Sequence, residues 1–200
     1  MTTILTASGR TLNLQALNTC AIDINDIAYS LSNINRFNGH SMRPISVAEH
    51  SLMVCDIAER HFQIKCPAGL MAALMHDAHE YLIGDVSTPV KALLGEDFKA
   101  FELRYQRLVL KHFGCWTAYI TNQIDIRNAD LHALTSEREQ LMHPGGDYWD
   151  CQATHPAIDW VKYGPHGALT AEDWRHLFIE KFLELQAGIA IRNQELEGGH

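Results

Sequence analysis

A chain of 200 residues with 46% hydrophobic content has enough apolar surface to bury a single core. Its formal net charge of -8 excludes the broad basic face of a general nucleic-acid or anionic-membrane binder, so any phosphate would have to be met by a few placed cations. No stretch reaches the ~18 apolar residues of a membrane span, and Met1-Thr2-Thr3-Ile4 lacks the basic start and long apolar core of a secretory signal; the expected compartment is the cytoplasm. Cys20, Cys55, Cys66, Cys115 and Cys151 are odd in number, scattered and free of a Cys-x-x-Cys, which points to reduced thiols rather than a disulfide framework or a thiolate zinc site.

In chain order, Ile4 to Leu14 holds two short β-prone pieces around Ser8-Gly9-Arg10 and predicts a small hairpin. Asp23 or Asn25 can cap a helix through Ile27, Ala28, Leu31 and Ile34. Arg36 to Pro44 follows as an Asn-, Gly- and Pro-containing loop with two arginines, Phe37 and His40. Ser46-Val47-Ala48-Glu49 is a capping-box pattern that opens a helix to about Phe62. Pro67 suits the first turn of the next helix, predicted to run to Ile83 and to stop at Gly84. Ser87 or Thr88 can cap another, with Pro89 at its first position and Lys91 just inside. Glu96 to Phe113 and Thr117 to about Met142 read as amphipathic helices, the first ended by Gly114. His143 to Gly167 lacks periodicity and is expected to be an irregular excursion that covers the bundle or serves an oligomer contact. Thr170-Ala171-Glu172-Asp173 caps a last helix through Trp174, Phe178, Phe182 and Leu185. Residues 1–193 are expected to form one domain, and 194–200 a disordered tail.

Three polar intrusions interrupt this apolar pattern. His50 stands between Val47 and Val54 at offsets of three and four, inside the buried stripe of its helix. His76, Asp77 and Glu80 interrupt the run from Gly69 to Ile83, where a continuous helix would set His76 one turn below Glu80 and Asp77 three before it. Asp130 lies among Ile126, Ala129, Ala133 and Leu134. Taken singly, each has an ordinary explanation: a core histidine bonded to a carbonyl, surface acids, or a structural partner for Arg127 or Arg138. Together, two imidazoles and two carboxylates from separate helices would suit a divalent cation with positions left for water and substrate.

The order His50, His76-Asp77, Asp130 resembles the HD-domain family of metal-dependent phosphohydrolases. Arg36-Phe37, Ser46 to Ser51, His76-Asp77-Ala78-His79-Glu80, Gly84-Asp85 and Thr88-Pro89-Val90-Lys91 resemble, in order, the motifs of its bacterial 5'-deoxynucleotidase subgroup over roughly residues 20 to 135. The resemblance implies an all-α HD-domain bundle with the small N-terminal hairpin added. It also implies a divalent metal ion, with Co, Mn, Zn, Ni, Fe and Mg not distinguished, held by His50, His76, Asp77 and Asp130. Glu80 and Asp85 match the catalytic carboxylates, Arg36 and Lys91 match cations that contact phosphate, and Phe37 would stack on the base or press against the sugar. The subgroup carries a tryptophan where this chain has Phe37, and residues after His143 have no clear counterpart. The implied activity is 5'-nucleotidase hydrolysis of deoxynucleoside monophosphates. The alternatives are a deoxynucleoside triphosphate triphosphohydrolase of the dATP type, found among related phage members, and a metal-stabilised nucleotide sensor without turnover. The expected partners are a small-molecule nucleotide and further copies of the chain, with neither nucleic acid nor membrane.

Overall fold

The computed structural model describes residues 2–19, 22–163 and 169–198. Two strands, β1 (Thr3–Leu5) and β2 (Thr11–Asn13), pair antiparallel with Ile4 opposite Leu12, and Gly9 turns between them. Leu12 is buried, so the hairpin lies on the bundle as a flap. A 3-10 turn, Leu14–Thr19, follows, and the remaining regular elements among the described residues are helices.

Helices α1 (Ile24–Asn33), α2 (Val47–Arg60), α3 (Pro67–Leu74), α7 (Gln123–Leu141) and α9 (Ala171–Gly198) build the core. α9 packs along α1, α2 and α3, and α7 packs on the other side of α2. Between them lie Ile27, Leu31, Val54, Ile57, Leu74, Ile126, Ala133, Phe178 and Phe182, all withdrawn from solvent. Burial of this kind, at roughly 25 cal/mol per Å², is the main term holding such a bundle together. The caps read from sequence are present: Asp23 accepts from the Asn25 N–H, and Ser46 Oγ accepts from the Glu49 N–H at 3.1 Å. The reciprocal half of the Ser46 box is not made, because the Glu49 carboxylate is taken by Arg43 in a two-pronged pair at 2.6 and 2.9 Å.

The helices depart from their predicted bounds at three places. The run from Pro67 to Ile83 stops at Leu74, turns through Met75–His79 and resumes as α4 (Glu80–Ile83). The cause is local: Nδ1 of His76 bonds the Ala73 carbonyl at 2.9 Å, which is the acceptor a continuous helix would give to the Asp77 N–H. The bonds that follow are one residue tighter, from Ala78 N to Met75 O at 3.0 Å and from Glu80 N to Asp77 O at 2.9 Å. The expected one-turn stacking of His76 beneath Glu80 is therefore replaced by a tight turn. Second, α5 (Thr88–His112) fuses the two segments predicted on either side of Gly95, which breaks it with φ 72 and ψ -158, a conformation only glycine adopts freely. Third, Asn122 separates α6 (Trp116–Thr121) from α7.

The excursion after α7 contains α8 (Asp150–Thr154) and then a non-helical strap, 156–163, with a turn at Asp159–Trp160 closed by Val161 N to Ile158 O at 3.0 Å; residues 164–168 are outside the described set. α9 continues to Gly198, so Gln194 to Gly198 is helical rather than a disordered tail. Arg192, Gln194, Glu195 and Glu197 are good helix formers and neither glycine nor proline intervenes between Gly188 and Gly198; residues 199–200 lie outside the described set. Among the described residues no helix is long and apolar enough to cross a membrane.

Candidate metal centre

α2, the turn after α3, and α7 each bring one part of the predicted cluster to the same point. His50, His76 and Asp130 each offer a ligand atom within 4.8 Å of the other two. Asp77 joins them, its Oδ2 lying 3.1 Å from His76 Nε2 and 3.8 Å from His50 Nε2. Asp130 Oδ1 is 3.1 Å from His50 Nε2. The imidazoles lie at the closed end, His50 with no exposed side chain, while Asp130 is 37% exposed and marks the open side.

The polarity of these contacts tests whether a cation belongs here. Nδ1 of His50 is bonded to Glu137 Oε1 at 2.7 Å, and Nδ1 of His76 to the Ala73 carbonyl at 2.9 Å. Both partners are acceptors, so each Nδ1 carries the hydrogen and each Nε2 turns a lone pair toward Asp77 and Asp130. Both Nε2 atoms are buried and make no directed hydrogen bond, the 3.1 Å approach of Asp130 to His50 included. Lone pairs facing carboxylates repel unless positive charge sits between them. Metal bonds of about 2.0–2.2 Å place adjacent ligand atoms roughly 3.0–3.5 Å apart, close to the spacings found, and histidine ligands ordinarily donate their second N–H to a carboxylate or carbonyl, as here. The donor set fits a divalent cation. In the metal-free chain a proton serves instead: burial and Arg36 oppose it, but Glu137 and Asp130 outweigh them and pull His50 up to about 9. Burial likewise works against ionised Asp77, yet His76, His50 and His79 hold its carboxyl well below the usual range.

Glu80 opens α4 beside this turn and is buried with Oε2 unpartnered. Burial, then Asp77 and Asp85, push its carboxyl well above the ordinary glutamate value. Gly84, at φ 79, turns the chain out of α4 and delivers Asp85, whose carboxyl is raised by burial and Asp77 against the pull of Arg36.

The cations expected to meet phosphate are already engaged. Arg36 is buried, donates from Nε to Glu137 Oε2 at 3.1 Å and brings a second guanidinium nitrogen to 4.0 Å from Asp77. The bridge between Asn35 and Ser46 closes the base of its loop, with Arg36 N bonded to Ile45 O at 2.9 Å. Lys91 pairs with Glu102 at 2.6 Å across the Gly95 break, and Glu102 is also 3.7 Å from the buried His79. Phe37 adopts φ 56, a strained conformation for an aromatic residue, between the Arg36 guanidinium at 5.4 Å and the Trp149 ring at 6.0 Å. Trp149 belongs to the excursion that sequence left unassigned.

Sequence reasoning missed Glu137. It is fully buried, and its two oxygens gather Arg36, His50 and the Tyr163 hydroxyl, the last at 3.2 Å. Arg36 and His50 hold it ionised below the usual value although burial opposes this. The available signal was its place seven residues after Asp130, two turns along the same face of α7.

A helical bundle with these histidines and aspartates drawn to one point defines the HD-domain class of proteins. A family profile described as 5'-deoxynucleotidase YfbR-like matches residues 26–110. The uncharacterised protein YfdR of Escherichia coli is 32% identical over 185 residues, covering 92% of this chain and 96% of that protein. The uncharacterised protein RCAP_rcc00048 of Rhodobacter capsulatus is 39% identical over 138 residues, covering 67% and 70%. The chain belongs to the YfbR-like 5'-deoxynucleotidase family of HD-domain proteins, a family of metal-dependent phosphohydrolases.

Proposed function

We propose that this protein is a 5'-nucleotidase that removes phosphate from deoxynucleoside monophosphates, using one divalent cation held by His50, His76, Asp77 and Asp130. The observation that carries the reading is the pair of buried, unpartnered Nε2 atoms turned toward two carboxylates. A cation bound there supplies Lewis acidity toward a phosphoryl oxygen and toward water.

The remaining chemistry falls to the chain's own groups. Glu80 and Asp85 share the proton transfers, one accepting from the attacking water and the other supplying the leaving ester oxygen; burial raises both carboxyls above their ordinary values. Arg36 offers phosphate oxygens the guanidinium edge that Glu137 leaves open, fixed in place by that same ion pair. Lys91 reaches substrate by releasing Glu102. Phe37, with Trp149 behind it, gives a base or deoxyribose an apolar face to rest against.

The test is to reconstitute the purified protein with single divalent metals and incubate it with deoxy- and ribonucleoside mono- and triphosphates, identifying products by mass. Orthophosphate from deoxynucleoside monophosphates is the expected product. Tripolyphosphate would establish a triphosphohydrolase instead, and nucleotide binding without any product a sensor. Glu80→Ala should keep its metal and lose turnover; an unchanged rate would remove Glu80 from the mechanism.

A further inference from the structure

The strap 156–163 runs along α7, fastened by side chains on either side of its turn at Asp159–Trp160. Nδ1 of His132 donates to Pro156 O at 2.8 Å, Ile158 N donates to Ser136 Oγ at 3.2 Å, and Gln140 bonds both Val161 O at 2.9 Å and Tyr163 N at 3.1 Å. His132, Ser136 and Gln140 are four residues apart and form one stripe of the helix, while Asp130 and Glu137 occupy the neighbouring stripe that faces the centre. Val161 has no exposed surface, and Tyr163 is buried. The last staple fixes the backbone of Tyr163 so that its hydroxyl donates to Glu137 Oε1, the same oxygen that accepts Nδ1–H of His50. The other oxygen, Oε2, is held by Arg36.

We propose that Tyr163, delivered by the strap, is a positioning residue for the metal centre: its bond locks the Glu137 carboxylate, which in turn sets the plane of His50 and aims Nε2 at the cation. This rests on the metal reading of the preceding section. Three donors, two of them on Oε1, hold the carboxylate against rotation about its terminal bond. Without the hydroxyl, Arg36 still holds Oε2 but Oε1 keeps only the mobile partner His50, so carboxylate and imidazole gain freedom to turn together. Nε2 moves away from the point where Asp77 and Asp130 converge. Burial keeps the Tyr163 phenol protonated and therefore a donor. Groups that orient metal-binding histidines typically change metal affinity 10–100-fold, and Tyr163 acts through one intermediary, so the effect should lie near the lower end, about tenfold.

The experiment is a Co(II) titration of the full-length chain, followed by the visible absorption of the bound ion, with the melting temperature of the metal-free protein measured in parallel. Tyr163→Phe should bind Co(II) about tenfold more weakly and with an altered absorption band. Gln140→Ala, which frees the strap but keeps the hydroxyl, should shift affinity in the same direction even if Tyr163→Phe folds poorly. Wild-type affinity and spectrum in both variants, with or without a lower melting temperature, would show a purely structural strap and overturn the proposal, while loss of the site in His50→Ala would leave the metal reading standing. A His50→Ala protein that binds Co(II) like the wild type would overturn both.

Discussion

Replacing Glu137 by alanine removes a carboxylate shared by Arg36, His50 and Tyr163. The side chain is fully buried, Arg36 is 7% exposed, and the two meet at 3.1 Å, so the variant strands a guanidinium inside the bundle. Removing one partner of a buried ion pair costs about 3–5 kcal/mol, because the remaining charge keeps its desolvation penalty and loses its compensation. Nδ1 of His50 and the Tyr163 hydroxyl lose their acceptor as well. Asp77, 4.0 Å from Arg36, offsets part of the loss and favours the lower end of that range. For a chain of this size each kcal/mol moves the melting temperature by about 2–4 °C, so Glu137→Ala should melt roughly 6–20 °C below the wild type. Adding Arg36→Met should recover part of the deficit by removing the stranded charge. Calorimetry or circular dichroism of the metal-free proteins reads both. A shift below about 2 °C in Glu137→Ala, or a double variant as destabilised as the sum of the singles, would refute a buried, coupled pair.

Other predictions concern the scaffold. Asp23→Ala should lose about 0.5–2 kcal/mol by uncapping α1; the Asn25 N–H and Arg10, against burial, hold the Asp23 carboxyl below its ordinary 3.8, so the charged cap contributes fully above that pH and fades as pH falls through the lower folded-state value. Urea titrations at descending pH should show wild type and variant converging, and parallel curves would count against the charged cap. Gly95→Ala meets nothing within 4 Å of the new methyl but must adopt φ 72, so backbone strain alone should cost about 1–3 kcal/mol, read by thermal melting; an unchanged midpoint would mean the two halves of α5 straighten freely. Cys55 and Cys115, pushed by burial up to about 12, should resist iodoacetamide in the native protein at mildly alkaline pH while Cys66 and Cys151 react, as peptide mass mapping would reveal; rapid labelling of Cys55 would indicate that the core opens.

The cluster was legible where it violated a local rule. His50 inside an apolar stripe and Asp130 among Ile126, Ala129 and Ala133 are conflicts visible to anyone counting by threes and fours, and both fall where periodicity put them. Glu137 obeys the same count but was hidden, since Ser136, Arg138 and Glu139 around it make an ordinary polar helix end, and only packing shows that Ser136 to Arg138 are buried. The break after Leu74 was invisible for another reason: Met75 to Ile83 contains no glycine or proline, and what ends the helix is an imidazole competing for the Ala73 carbonyl. Pairing was equally out of reach, because Arg36 to Glu137 and Lys91 to Glu102 are settled by which side chains arrive at the same place.

By itself, the sequence determined the main helical segments, the caps at Asp23 and Ser46, which faces turn inward, and that imidazole and carboxylate groups sit on those faces, because each of these follows from interactions within a few residues. The tertiary structure alone decided that α2, the turn after α3, and α7 converge, that Glu137 joins Arg36 to His50, and that a strap far along the chain reaches the same carboxylate. Such contacts join groups up to 101 positions apart, and their existence depends on the balance of burial and charge in the assembled core.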